Sequence, residues 1–170
     1  MAATFQWWGE YGASGAPTTA DLGVSGNLFN FKTSDSLASA ADYTSYPITA
    51  GSNSYEVWLK GHFTDSFNKV QNAKFWKSSG GPDSGIAINS NQPYITTAYV
   101  TPVTTASTVA TGEVPTASPG SANVPFAGSL AGAITTAGFS DFITMQMQTT
   151  TTAAAGDSST YTFTLTYDEN

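Results

Sequence analysis

The chain holds 170 residues, of which 40% are apolar, 13% aromatic and only 10% charged. That is enough apolar chain for one packed domain and too much for a disordered tail, yet the charged fraction is far below the roughly 25% of ordinary globular proteins. The net charge of −7, from 12 acidic and 5 basic residues, speaks against a nucleic-acid face, which needs a basic patch, and the lack of cysteine excludes disulfides and thiolate metal sites.

Read in chain order, residues 1–26 begin with Phe5-Gln6-Trp7-Trp8 and turn Gly-rich. This predicts an extended N-terminal arm with an aromatic anchor, set either on a neighbouring subunit or on the domain's own core. The opening has neither a basic region nor an apolar region behind it, so no export signal is expected. A single domain is predicted over 27–170. Residues 27–32 can form a first strand, with Leu28 alternating against Phe29 and Phe31. Residues 34–42 hold the one plausible helical turn, built on Leu37, Ala38, Ala40 and Ala41.

The clearest strand runs from Tyr55 to Phe63. Tyr55, Val57, Leu59 and Phe63 fall on one face and Glu56, Trp58, Lys60 and His62 on the other. Such period-two alternation marks a half-buried strand. A turn at 65–68 leads into a second strand at 70–76, and the Gly/Pro/Asp/Ser run at 78–85 is a loop. Ile86 to Ile88 and Ile95 to Val103 read as short strands.

Residues 104–132 form a long low-complexity loop carrying Pro115, Pro119 and Pro125, with edge strands as the alternative. Two alternating strands close the chain. Ile143, Met145 and Met147 share a face in the first, and Tyr161, Phe163, Leu165 and Tyr167 share one in the second, with a 156–159 turn between them. Many short strands, Gly/Pro turns and little helix predict an all-β fold. An antiparallel β-sandwich is expected, a jelly roll first and an immunoglobulin-like sandwich second. No run approaches the ~18 apolar residues of a membrane span.

Catalytic chemistry has little to build on. His62 is the only histidine, so a His-pair metal site is impossible and any Ser–His–Asp triad would have to use it. It reads as an ordinary residue of a polar strand face. Glu10, Glu56, Glu113 and Glu169 are scattered over different segments, while Asp65, Asp83 and Asp157 sit in turns, where Asp is favoured for backbone reasons. The turns at Asp83 and Asp157 lack the EF-hand pattern, and Gly12 to Gly15 lacks the lysine of a phosphate loop. No catalytic residue, cofactor or metal is expected. Trp58 should point away from the core, and Trp76 with it. Each then packs under a loop, enters an interface or stacks on a ligand such as a sugar ring.

Five segments together carry a resemblance: Tyr55-Glu-Val-Trp-Leu59, Phe67-Asn-Lys-Val-Gln-Asn-Ala-Lys-Phe-Trp-Lys77, Tyr99-Val-Thr-Pro102, Asp141-Phe-Ile-Thr-Met-Gln-Met-Gln148 and Tyr161-Thr-Phe-Thr-Leu-Thr-Tyr-Asp-Glu169. The set is similar to a group of small tailed-bacteriophage structural proteins. It spans most of 55–169 and leaves the arm unmatched. The resemblance implies a non-enzymatic virion component, a capsid decoration or cement protein that binds the outer shell. Its implied partners are the major capsid protein or other virion proteins and further copies of itself, a trimer being one arrangement, with no nucleic acid and no membrane. A virion location would also reconcile an extracellular-looking composition with the absence of an export signal, because virion proteins leave by lysis. The expected interface residues are Phe5, Trp7, Trp8, Trp58 and Trp76. The rival expectation is a carbohydrate-binding module or adhesin that uses outward tryptophans.

Overall fold

The computed structural model describes residues 2–24, 29–39, 42–81, 83–154 and 160–170. Expectations placed on Asn27 and Leu28, on Ala40 and Ala41, and on the 156–159 turn with Asp157 lie outside these residues.

The chain opens on strand β1 (Thr4–Tyr11) and returns through β2 (Thr18–Asp21). Gly12 turns the corner with φ of 86°, a value that residues with a Cβ rarely adopt. A single helical turn, α1 (Asp42–Ser45), follows. It begins where the predicted turn ends. The Ser39 amide and hydroxyl donate to the Asp42 carboxylate at 2.9 and 2.8 Å, fixing the first residue of the turn. Next come β3 (Val57–Thr64), β4 (Val70–Ser79) and β5 (Ile86–Ser90). The short strands β6 (Gly112–Glu113), β7 (Ala133–Ile134) and β8 (Gly138–Phe139) precede β9 (Ile143–Thr149) and β10 (Thr162–Glu169).

The strands form two antiparallel sheets. The larger has seven strands in the order β2-β1-β3-β9-β5-β6, with β8 also paired to β3; the smaller has three, β10-β4-β7. One face of the larger sheet packs on the smaller, and the core lies between them. Val57, Leu59 and Phe63 of β3, Ile143, Met145 and Met147 of β9, and Val70, Ala73 and Phe75 of β4 share one buried cluster. The alternation read in β3 and β9 therefore faces the way the sequence predicts. Phe163 and Leu165 pack against this cluster but are only partly buried. The protein is thus an antiparallel β-sandwich. A jelly roll runs about eight strands through two Greek keys; the layers here hold seven and three.

Several segments differ from the sequence reading. Thr4–Tyr11, expected in a separate arm, is an inner strand between β2 and β3, with Phe5 opposite Phe63 and Trp8 opposite Lys60. Its alternation was concealed because both of its faces carry aromatics. Gly61 makes room for it, since a Cβ there would lie 2.8 Å from the Phe5 ring. Residues 29–32 are not a strand. Phe29 and Phe31 instead close the side of the sandwich, their rings 5.7 and 6.4 Å from that of Phe163. Residues 95–103 are irregular rather than extended into a ladder. The low-complexity 104–132 segment gives only the two-residue edge strand β6, yet it places Val114, Val124 and Phe126 in the core.

Candidate functional site

The second face of the larger sheet is polar, and it is covered. Glu10, Trp58, Lys60, Thr144 and Gln146 alternate with the core residues along β1, β3 and β9, and Glu56 continues the row just ahead of β3. Residues 91–110 run over them as a strap. Polar groups lose water there and must find partners inside the protein. Gln146, fully buried, does most of the fastening. Its amide nitrogen reaches the carbonyl oxygens of Ser54, Val103 and Thr105 at 3.1, 3.3 and 2.8 Å, and its Oε1 accepts from the Ser107 amide at 2.9 Å. Asn91 holds the other end. Its Nδ2 donates to the Phe142 carbonyl at 2.9 Å and to the Thr96 hydroxyl at 3.0 Å, while its Oδ1 accepts from the Thr144 amide at 3.0 Å.

Charges on this face are paired with neighbours. Lys60 meets Glu10 and lies 4.8 and 4.9 Å from the centres of the Phe139 and Phe142 rings. Glu56 accepts from the Ser107 hydroxyl and, at 3.3 Å, from the Trp58 indole. Tyr99 donates to the Gly12 carbonyl at 2.7 Å. Burial pushes the Tyr99 phenol up, and Asp35, Glu10 and Glu56 add to the shift. The Tyr11 phenol is pushed up to about 12 by burial, with a smaller contribution from Asp35. Both phenols therefore stay neutral, as donors and packing groups, through the physiological range.

A second enclosed ion pair, Lys32 with Asp42, ties the 29–39 segment to α1. Lys32 also donates to the Ser36 hydroxyl at 3.0 Å and the Leu37 carbonyl at 3.1 Å. That cation, joined by the Ser39 amide, lowers the Asp42 carboxyl to about 2.

The five aromatics singled out in the sequence fall in separate surroundings. Phe5 and Trp7 pack on the chain's own core, with Phe5 5.3 Å from Phe63 and Trp7 5.9 Å from Phe75. Trp8 lies on the opposite face, edge-on to His62 at 5.4 Å and to Phe139 at 5.7 Å. Trp58 does leave the core side, as its alternation predicts, but it is 0% exposed. Tyr99 of the strap and Phe142 at the entry to β9 enclose it, each ring 5.3 Å away. No face of Trp58 is left for a sugar ring. Trp76 is half-buried on the outer face of the smaller sheet, opposite Thr164. His62 stacks on Phe139 at 4.2 Å, and among the described residues its Nδ1 and the Trp8 Nε1 have no hydrogen-bond partner.

Asp83, one of the turn aspartates, accepts from the Tyr161 hydroxyl at 2.5 Å. With Lys77 and Glu113 it lines a cavity of about 90 Å³ between the sheets. Among the described residues, no cluster of three or more histidine, cysteine or acidic side chains is arranged to hold a metal ion.

The surface feature that sequence reasoning missed lies on the strap. Tyr94, Ile95, Val100 and Val103 are 67%, 48%, 51% and 39% exposed, on a segment that Asn91 fastens to β9 at one end and Gln146 holds at Val103 and Thr105 near the other. The apolar residues of this segment are β-formers and so predict a strand; the prolines at 93 and 102 are the signal against one. No protein-family model, curated protein or solved structure matches the chain.

Proposed function

We propose that this protein is a non-enzymatic structural subunit of a tailed-phage virion, a decoration protein that binds the outside of the shell and stabilises it. The observation that carries this reading is the strap. Large apolar side chains stand exposed on a segment that the buried side chains of Asn91 and Gln146 fasten to the sheet at its two ends. Apolar exposure of this kind marks interaction surfaces, and a pre-fixed backbone loses little entropy on docking. The phage-like segments named above support the reading, and Tyr99-Val-Thr-Pro102 lies within the strap itself. The low charge fraction supports it too, because a polar but weakly charged surface packs against neighbours without strong repulsion. The partner is then the major capsid protein or another virion protein, met through Tyr94, Ile95, Val100 and Val103.

Co-sedimentation with undecorated particles tests this directly. Tyr94→Ser/Val100→Ser should fold like the wild type, since exposed substitutions usually change stability by no more than about 0.5 kcal/mol, yet should bind particles weakly. Equal binding by the two proteins would move the interface elsewhere, and no binding by the wild type would contradict the reading.

A further inference from the structure

Among the described residues, strand β10 pairs on one side only, with β4, and the ladder shows which residues present the other edge. On β4 the Phe75 amide and carbonyl are turned away from β10. Both are taken by the Asn123 side chain, at 2.7 and 2.8 Å. The Lys77 amide likewise donates to the Pro115 carbonyl at 2.8 Å. In an antiparallel ladder, directly opposed residues point their backbone groups either both toward each other or both away. Phe75 opposes Leu165 and Lys77 opposes Phe163. Phe163 and Leu165 therefore aim their amides and carbonyls at the open edge. Tyr167 does the same by alternation, because the nearby irregularity falls on β4, where Asn72 has φ of 54°.

Among the described residues, no backbone group outside β4 bonds to 162–168. Exposed edges are normally protected by shortness, lysine, proline or a bulge. β10 has eight residues, Thr-Phe-Thr-Leu-Thr-Tyr-Asp-Glu, with neither lysine nor proline; its two charges stand at the C-terminal end, and the two irregularities of its ladder with β4 leave Phe163 to Thr166 in regular register. The other sheet ends are short: β2 has four residues, and β6 and β7 have two each.

We propose that β10 is a self-pairing edge. Two copies of this chain join β10 to β10, antiparallel about a two-fold axis at Leu165, and merge their smaller sheets into one. The sequence of the strand favours a second copy as its occupant. In this register Leu165 meets its counterpart and each Phe163 meets a Tyr167, so the residues with outward backbone groups oppose one another. On the outer face Thr164 meets Thr166. Asp168 meets Thr162 rather than another carboxylate, and like charges directly opposed would be destabilising. Phe163, Leu165 and Tyr167 are partly buried on the core already, and Phe29 and Phe31 pack on Phe163, so the strand is held in place before it pairs. An isologous contact of this kind is complete with two subunits. It does not depend on shell binding or on the strap.

Sedimentation velocity of the whole chain over a concentration series tests the proposal, with two variants as controls. The wild type should show a monomer–dimer equilibrium. Thr164→Lys/Thr166→Lys sets lysine against lysine twice in the dimer and should weaken dimerisation about tenfold or more, with unchanged circular dichroism. Thr164→Lys/Thr166→Glu sets opposite charges together and should restore it. Because the chain lacks cysteine, a mixture of Thr164→Cys and Thr166→Cys proteins gives a reading that does not depend on the lysine variant folding. Oxidation should join position 164 of one copy to 166 of the other in preference to like positions. A wild type that stays monomeric, a dimer indifferent to the lysine pair, or cross-links without that preference would each overturn the proposal.

Discussion

Gln146 holds three carbonyl oxygens and one amide of the surrounding backbone with a single side chain. Replacing it with leucine keeps the volume but strands those groups in a dry interior, which costs about 1–3 kcal/mol. Gln146→Leu should lower the urea midpoint accordingly, and amide exchange at Ser107 should rise more than exchange in β3. Exchange unchanged at Ser107 would mean the strap is held by other contacts. Asp42 gives a pH signature. Its carboxyl, held at about 2 in the folded chain, has an ordinary value near 3.9 when unfolded. A depressed acid contributes stability that is present above its unfolded value and lost as pH falls through the folded one. The wild type should therefore lose stability between about pH 4 and pH 2, and Asp42→Asn should remove that part of the loss. Denaturant midpoints of both proteins at pH 5 and pH 2.5 check this; parallel curves would contradict the assignment. Neither role shows in the sequence. Gln146 looks like any polar residue of an alternating strand, and Lys32 with Asp42 are brought together only by the fold.

At the scale of elements, alternation made β3, β9 and β10 legible, because each sets an apolar row against the core. β1 was not, since Phe5 and Trp7 face the core while Trp8 packs on His62 and Phe139 across the sheet. As an inner strand it is needed for the fold, so deleting residues 2–12 should abolish the cooperative thermal transition. A truncated protein that melts normally would return the segment to the role of an arm. The core contribution of the low-complexity stretch was equally hidden. Val124 and Phe126 stand among Ala, Ser, Gly and Pro, and the bonds of Asn123 and of the Val124 amide to β4 put them between the sheets. Phe126→Ala should cost about 3–5 kcal/mol, as for other fully buried aromatics, measured by chemical unfolding. A neutral result would show that the stretch is an ordinary loop.

At the scale of the molecule, three features point outward: an exposed apolar strap, a long strand at the edge of the smaller sheet and a surface of few charges. The sandwich itself was legible from turn spacing and alternation, but its unequal layers were not, because strand order depends on contacts far apart in sequence. The strap and the edge lie on different sheets, so one copy can touch a shell through the first and a second copy through the other. That arrangement suits a protein present in many copies on a surface. If the protein decorates a shell, quantitative mass spectrometry of purified virions should find this chain at a copy number proportional to that of the major capsid protein. Its absence from intact particles would mean that it is not a shell subunit.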